Sequence, residues 1–147
     1  MVTPLVVDVN VLVAAQQPLH PLHEVARTWL GARLADPSVP AYVPDLVWVG
    51  FVRVTTNHHA FSPPATPEDA AAFVRAVARA PAYRRVSGLR ADVTPFLDLV
   101  VQSSARGNLV TDAYIASVAL QFGAAVATFD RDFRRFDGLR LVTPAAP

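Results

Sequence analysis

The sequence predicts an α/β fold with a mostly parallel central sheet of four to five strands. Short apolar runs rich in β-branched residues alternate along the chain with segments of helical periodicity, and this alternation is typical of βα units. No internal repeat or low-complexity linker interrupts the alternation. The 147 residues fit one domain, residues 1–147, in which helices can cover both faces of the sheet.

The first predicted strand covers residues 5–9, an apolar run that contains Asp8. A helix is predicted over residues 21–34, because apolar side chains recur along one of its faces. Those side chains are Leu22, Val25, Ala26, Trp29 and Leu30. A second, short strand is predicted over residues 41–43.

Prolines mark the next two helices. Pro44 can occupy the first turn of a helix that runs to about residue 56, since its missing N–H has no intrahelical partner there. Two adjacent prolines then predict a loop over residues 57–66. Thr66 caps the following helix, with an acidic residue three positions on as an imperfect capping box, and that helix should stop near Pro81.

Glycines mark the ends of two further helices. After a third short strand over residues 84–87, a helix is predicted over residues 92–106. Gly107 should end it, because glycine readily adopts the left-handed conformation found at helix ends. The next helix should be capped by Thr111 or Asp112 and end at the following glycine.

Two strands remain in the C-terminal part. The fourth strand covers residues 125–129, and a tight turn with a helical fragment containing Phe133 and Phe136 follows it. Residues 139–142 are predicted as an edge strand and residues 143–147 as a frayed tail.

Composition limits the kinds of site that the chain can build. The net charge of +1 is too small to attract nucleic acid over the whole surface, so phosphate contacts must come from local clusters. All 13 basic residues are arginine and cysteine is absent. This excludes lysine-dependent sites, thiolate nucleophiles and cysteine-ligated zinc, and leaves oxygen and imidazole as metal ligands.

The sequence predicts no membrane association. No apolar stretch reaches the roughly 18 residues of a membrane span. The N-terminus lacks a basic opening segment, and Asp8 and Asn10 interrupt its short apolar run, so it does not resemble a signal peptide. We therefore expect a cytoplasmic protein.

Four carboxylates lie where the predicted sheet would bring them together. Ligands of parallel α/β sheets bind beyond the carboxyl ends of the strands, where the strand order reverses. Asp8 and Asp130 lie at two such ends. Asp112 opens the helix that leads into the fourth strand, and Asp132 follows in the turn. Two carboxylates about 4 Å apart repel by roughly 4 kcal/mol at an effective dielectric near 20, so the cluster needs a cation or bound protons. We expect a divalent metal and phosphoryl-transfer chemistry.

Each of these residues also has an ordinary structural explanation. Asp8 and Asp112 can serve as helix caps, and Asp130 and Asp132 can accept backbone N–H bonds within a turn. Arg53 can point into the cleft or pair with an acid on a neighbouring turn. The sequence leaves these alternatives open, but the joint placement at strand ends favours a functional site.

Three segments around the acids resemble the acidic motifs of PIN-domain ribonucleases. They are Val6-Val7-Asp8-Val9-Asn10-Val11-Leu12, Val110-Thr111-Asp112-Ala113-Tyr114-Ile115-Ala116 and Ala127-Thr128-Phe129-Asp130-Arg131-Asp132-Phe133. Over nearly the whole chain, the sequence is similar to the toxin component of VapBC toxin–antitoxin systems. Further matching positions are Trp29, residues 50–53, Thr56-Asn57 and Gly138-Leu139.

The resemblance implies a three-layer α/β/α PIN-like domain that cleaves RNA endonucleolytically with Mg2+ or Mn2+. It also implies a homodimer and inhibition by a cognate antitoxin. On this hypothesis the metal ligands are Asp8, Asp112, Asp130 and Asp132, of which the first three are the catalytic residues. Asp112 acts as a ligand or as a base through water. The residues expected to orient the acids or contact the RNA are Asn10, Thr128, Arg53 and Arg131.

One position departs from the family pattern. Family members commonly carry a Glu three residues before the arginine that corresponds to Arg53, where this sequence has Gly50. The site is therefore built from the remaining aspartates, completed by Asp45 or Glu24, or weakened. A branch of the toxin family is similar to this chain in having Gly there, which favours an adapted site. The alternative function is a PIN-like module that binds RNA or an antitoxin without turnover.

Other α/β folds with comparable sites fit less well. A phosphatase of the haloacid-dehalogenase type or a phospho-receiver domain needs a lysine that this chain lacks. A dinucleotide-binding fold needs a glycine-rich turn after the first strand, and residues 9–15 contain no glycine.

Overall fold

The computed structural model describes residues 2–147 and contains a five-stranded sheet. Its strands are β1 (Leu5–Val7), β2 (Ala41–Pro44), β3 (Tyr83–Val86), β4 (Ala125–Ala127) and β5 (Leu141–Val142). Neighbouring strands all pair in parallel, in the order β3-β2-β1-β4-β5. The predicted α/β class is confirmed, with a wholly parallel sheet where a mostly parallel one was expected.

Six α-helices of residues 2–147 cover the sheet in a three-layer α/β/α arrangement. They are α1 (Val9–Gln16), α2 (His23–Ala35), α3 (Asp45–Thr55), α4 (Pro67–Ala78), α5 (Thr94–Ser103) and α6 (Asn108–Gln121). A 3-10 turn (Arg131–Arg135) connects β4 to β5. Over the same residues, every helix is too short or too polar to cross a bilayer.

The strand order reverses between β1 and β4. From β1 the chain moves outward through β2 and β3, and it later returns to add β4 and β5 on the other side. Val7 pairs with Ala127, so the next residues, Asp8 and Thr128, emerge side by side at the carboxyl edge of the sheet. The prediction that the first and fourth strands are neighbours at the reversal is confirmed.

Helix α1 is absent from the sequence prediction. The first strand ends at Val7, and Val9–Gln16 is helical where strand and loop were expected. Asp8 ends the strand because its side chain caps the helix, with Oδ1 accepting the Val9 N–H at 2.7 Å. Three valines in eight residues give α1 a weak intrinsic helix propensity. Burial of its apolar side chains against the sheet and neighbouring helices outweighs that preference.

Helices α5 and α6 also differ from their predicted limits. α5 ends at Ser103, before residue 106, and the next residue, Ser104, is left-handed with φ of 53°. Gly107 precedes α6 instead of ending α5, so α6 begins three residues before Thr111. The prediction that Thr111 or Asp112 caps this helix is therefore wrong, and Asp112 lies in its second turn.

The remaining elements differ from the prediction only by a few residues at their ends, where boundaries are intrinsically loose. The capping box of α4 is complete. Thr66 Oγ1 accepts the Asp69 N–H at 3.0 Å, and Asp69 Oδ2 accepts the Thr66 N–H at 3.4 Å. The helix therefore starts where the Thr66 signal placed it.

Phe133 anchors the 3-10 turn, because its ring is fully buried and meets Phe136 edge to face at 5.9 Å. We expect Phe133→Ala to lower the free energy of unfolding by about 3–5 kcal/mol through the cavity that it leaves. Urea denaturation measures this. Val101, which is 77% exposed, provides the control, and Val101→Ala should change stability by less than about 0.5 kcal/mol. Equally small effects of both substitutions would contradict the anchoring role.

Candidate active site

A cleft of about 740 Å3 lies between α1, α3 and α6, beyond the carboxyl ends of β1 and β4. Three of the four predicted acids, Asp8, Asp112 and Asp130, line it. They come from the cap of α1, the second turn of α6 and the start of the 3-10 turn. The fold thus brings together acids that are far apart in the sequence.

Asp8 is buried, with 5% of its surface exposed, and two hydrogen bonds fix its carboxylate. Oδ1 accepts the Val9 N–H and Oδ2 accepts the Thr128 hydroxyl, both at 2.7 Å. Burial raises the pKa of Asp8, and the bonds from Thr128 and Val9 oppose that shift. Each carboxylate oxygen still has a lone pair available. Asp8 is therefore a helix cap and a cleft residue at once.

Thr128 connects three of the predicted site residues. Its Oγ1 donates to Asp8, and it accepts the Asn10 side-chain amide at 3.1 Å and the Asp130 N–H at 2.9 Å. Asn10 Oδ1 in turn accepts the Phe129 N–H at 3.2 Å. These bonds tie the end of β4 to the first turn of α1, so the two acids at the strand ends keep a fixed spacing.

Asp130 and Asp132 differ in their local roles. Asp130 caps the 3-10 turn, with Oδ1 accepting the Asp132 N–H at 2.8 Å, and it also lines the cleft. Of the two acids for which a turn-forming role was considered, Asp130 is the one whose side chain accepts a backbone N–H of the turn. Asp132 is exposed and is not among the described residues that line the cleft, although its charge still acts on Asp112.

Asp112 is half-buried, and its pKa is raised to about 7. Burial is the largest cause, and repulsion from Asp8, Asp130 and Asp132 adds to it, while Arg135 opposes the shift. Because Gly107 and not Asp112 precedes the helix, capping does not explain this carboxylate. The negatively charged acids of the cleft repel one another, and positively charged side chains of the protein do not fully offset this repulsion.

Asp45 and Glu24, the residues considered as replacement ligands, lie elsewhere. Asp45 pairs with Arg85 at 2.8 Å, and Glu24 is 80% exposed beside His23 at 3.8 Å. These are the ion pairs found within residues 2–147, and neither includes an acid of the cleft. The acidic residues that line the cleft are therefore all aspartates.

Gly50 lines the cleft on α3 and faces α1. A Cβ atom at this position would lie 3.1 Å from Cγ2 of Val9, tighter than an ordinary van der Waals contact. Any larger side chain there requires Val9 to move. Val9 therefore packs beside the position where family members commonly carry Glu.

No three His, Asp or Glu side chains of residues 2–147 stand close enough to form a ready-made metal cage. The site still suits a hard cation, because its donors are carboxylate oxygens and because burial, with repulsion from neighbouring acids, raises the pKa of Asp112. Mg2+ keeps several waters and commonly binds through one or two carboxylates and a substrate phosphate. The aspartates of the cleft fit that mode of binding.

Two predicted arginines flank the acids. Arg53 is exposed and lines the same cleft. Arg131 and Arg134 line a neighbouring groove of about 540 Å3, which meets the cleft at Asp130. Of the alternatives for Arg53, the structure therefore favours the cleft over an ion pair.

The sequence did not place His20, Phe61 or Asn108 beside the acids, but all three also line the cleft. His20 follows the unpredicted helix α1, Phe61 lies in the loop after α3, and Asn108 opens α6 earlier than expected. No local motif marks these positions, since their approach to the acids depends on how the helices pack.

Residues 5–139 match the sequence profile of the PIN domain. Ribonuclease VapC25 of Mycobacterium tuberculosis is 38% identical over 138 residues, which cover 94% of this chain and 96% of that protein. VapC ribonuclease Mb2897 of Mycobacterium bovis is 40% identical over 136 residues, 92% of each chain.

Solved structures share the fold at lower identity. VapBC2 from Rickettsia felis, bound to a DNA fragment from its promoter, has a TM-score of 0.68 at 18% identity and covers 95% of this chain and 97% of its own. The Sarcin-Ricin loop cleaving toxin VapC20 of Mycobacterium tuberculosis has a TM-score of 0.68 at 18% identity, over 92% and 98% of the two chains. The profile match and the identity to VapC relatives show that this chain belongs to the PIN-domain family and, within it, to the VapC type.

Proposed function

We propose that this protein is a divalent-metal-dependent endoribonuclease that acts as the toxin of a toxin–antitoxin pair. The observation that carries the proposal is the convergence of Asp8, Asp112 and Asp130 on one cleft without a salt-bridge partner among residues 2–147. The relatives named as VapC ribonucleases support RNA as the substrate. The description of VapC20 as a toxin that cleaves the Sarcin-Ricin loop supports the toxin role.

Mg2+ or Mn2+ would be held by Asp8, Asp112 and Asp130, with Asp132 adding negative charge at the rim. Bound there, the cation would offset charge on the phosphodiester and make the attacking water more acidic. Thr128 and Asn10 orient Asp8 and the start of the 3-10 turn through the bonds described above. The protein thereby holds the reacting phosphate against a fixed set of oxygen ligands.

The protonation of the Asp112 carboxyl group should depend on whether a metal ion is bound. With a pKa of about 7, its carboxyl group holds a proton for much of the time at neutral pH when no cation is present. A cation held beside Asp112 would favour the ionised form of its carboxyl group. The ionised carboxylate then serves as a ligand or accepts a proton from the attacking water.

Arginines would position the RNA on either side of the acids. Arg53 in the cleft and Arg131 with Arg134 in the neighbouring groove are suited to phosphate, because a guanidinium can donate two parallel hydrogen bonds. The path from Arg53 across Asp130 to Arg131 gives the strand a route over the metal site. These contacts fix register without selecting a base sequence.

A cognate antitoxin is the second proposed partner, and the fold likeness to VapBC2 supports it. A basic side chain from such a partner, placed among the acids, would substitute electrostatically for the metal and keep the nuclease inactive. A homodimer is proposed on the family resemblance.

A module that binds RNA or an antitoxin without turnover is the second candidate function. Gly50, which cannot ligate a metal through a side chain, favours it. The two candidates differ in their response to metal. An enzyme gains thermal stability from Mn2+ and cuts RNA only with a divalent cation, whereas an inactive module does neither.

Asp8→Asn should reduce Mn2+-dependent RNA cleavage by at least about 100-fold. It removes the charge of a proposed metal ligand, and loss of a ligand should cost more activity than loss of a residue that only orients a ligand. The fold should persist, since asparagine also caps helices. Initial rates on a fluorophore-labelled RNA, Mn2+-induced shifts in Tm and circular dichroism measure the three effects. Asp98→Asn removes an exposed carboxylate on α5 and should behave like the unmodified protein. Full activity of Asp8→Asn would refute the assignment.

Thr128→Val should lower the cleavage rate by about 10–100-fold, as expected for a residue that orients a ligand from behind. Valine keeps the shape of the side chain but leaves Asp8, Asn10 and the Asp130 N–H without their shared partner. Steady-state kinetics at saturating Mn2+ measure the loss, and Mn2+ titration followed by Tm measures metal affinity. Thr128→Ser retains the hydroxyl and should recover most of the activity; a serine variant as impaired as the valine one would argue against the hydrogen bonds as the cause.

Without metal, Asp112 should make the protein less stable as the pH rises. Between its ordinary value of 3.8 and about 7, the folded state binds more protons at Asp112 than the unfolded state does. Stability therefore falls through this window, and the loss is complete above it. Asp112→Asn removes this loss, so its Tm in EDTA should exceed that of the unmodified protein by a margin that grows from about pH 5 to about pH 7. Parallel pH profiles of the two proteins would contradict the raised pKa.

A further inference from the structure

We propose that the end of the cleft remote from the acids, formed by His20 and Phe61, is a subsite for a purine base next to the cleaved phosphodiester. Both residues line the cleft that contains Asp8, Asp112 and Asp130. The inference rests on the proposed ribonuclease function and extends it from the reacting phosphate to the recognition of a base.

Helix α1 separates the subsite from the acids. Asp8 caps the N-terminal end of this eight-residue helix, and His20 follows its C-terminal end, with its N–H bonded to Gln17 O at 3.0 Å. The helix is about 12 Å long, so its two ends are separated by roughly that distance. Val13 on α1 and Val54 on α3 form part of the cleft wall between them. A nucleotide beside the one being cut can span such a distance.

His20 has a fixed tautomer. Its Nδ1 accepts the Leu22 N–H at 3.0 Å, so the neutral ring carries its proton on Nε2. Burial, and to a smaller extent His23, lowers the pKa of His20 and favours that neutral ring. The Nε2–H makes no hydrogen bond within residues 2–147 and remains available as a donor.

Phe61 is half-buried on a loop that backbone hydrogen bonds hold in place. Its N–H and that of Ala60 both bond to Asn57 O, at 3.1 and 3.0 Å. The phenyl ring lies 6.5 Å from the His20 ring, centroid to centroid, and is tilted by 50° to it. The two rings therefore border the same part of the cleft, where a base stacked on Phe61 would lie near His20.

The chemistry of this end favours a base over a phosphate. Single-stranded RNA is commonly bound by stacking of unpaired bases on aromatic side chains. Phe61, Val13 and Val54 are apolar, and the neutral His20 offers one donor and no charge. Both purines carry an N7 acceptor and present a larger stacking face than pyrimidines do. A purine can therefore stack on the Phe61 ring and accept a hydrogen bond from the Nε2–H of His20.

The test uses variants of Phe61 that separate stacking from packing. Phe61→Ala and Phe61→Leu should raise KM for RNA about tenfold while kcat changes by less than about twofold, since stacking contributes to binding and not to the chemical step. Phe61→Tyr keeps an aromatic face and should match the unmodified protein. Sequencing of the RNA ends from a randomised single-stranded library should show a purine preference at one position, lost in the Leu variant and weakened in His20→Ala.

Two results would overturn the subsite: a Leu variant with unchanged KM, or the same base preference in every variant. Anisotropy of fluorescein-labelled purine-rich and pyrimidine-rich RNA in Ca2+ tests binding without cleavage. If the unmodified protein cuts no RNA, the proposed function fails, but tighter purine binding that the Leu variant loses would still support the subsite. Equal binding of both RNAs would reject it.

Discussion

The hydrogen bond from Thr128 to Asp8 is the contact on which the candidate site depends. It joins residues 120 positions apart, and it forms because Val7 and Ala127 lie in register on neighbouring parallel strands. A slip of one residue in that pairing would turn these side chains to opposite faces of the sheet. Burying the Asp8 carboxylate is costly, and the bonds that hold it come from the start of α1 and the end of β4. The register of β1 and β4, the start of α1 and the position of the Asp8 carboxylate therefore depend on one another.

The pKa values of Asp45 and Asp112 shift in opposite directions. At the surface, Arg85 lowers the pKa of Asp45 through a hydrogen-bonded ion pair. In the cleft, burial and neighbouring acids raise the pKa of Asp112. The surface carboxylate of Asp45 thus has an ion-pair partner, whereas the carboxylates that converge in the cleft have none among residues 2–147. That difference, more than the number of acids, supports the proposed cation site, because bound positive charge would relieve the repulsion among the carboxylates.

The sequence was sufficient to predict the sheet and the two acids at its strand ends, because buried strands leave a clear apolar signal and a topological rule locates their carboxyl ends. Helix α1 was not predicted because its valines favour a strand locally. Burial of its apolar side chains in the folded protein outweighs that preference. The start of α6 was misplaced because Gly107 was interpreted as a helix end. The positions of His20 and Phe61 depend on packing between elements, which one sequence does not encode in any local pattern.

Gly50 has a consequence for how the proposed reaction is arranged. A glutamate there would bring a further negative charge to acids that already repel one another, and its Cβ would press on Val9 at 3.1 Å. Glycine relieves both effects and leaves the wall of α3 open towards Arg53. With fewer protein carboxylates, Asp8, Asp112 and Asp130 would hold Mg2+ together with water and the substrate phosphate, ligands that this ion readily accepts. On the proposed function, binding of the ion and binding of the strand would therefore depend on each other, because the substrate phosphate would supply part of the ligand set.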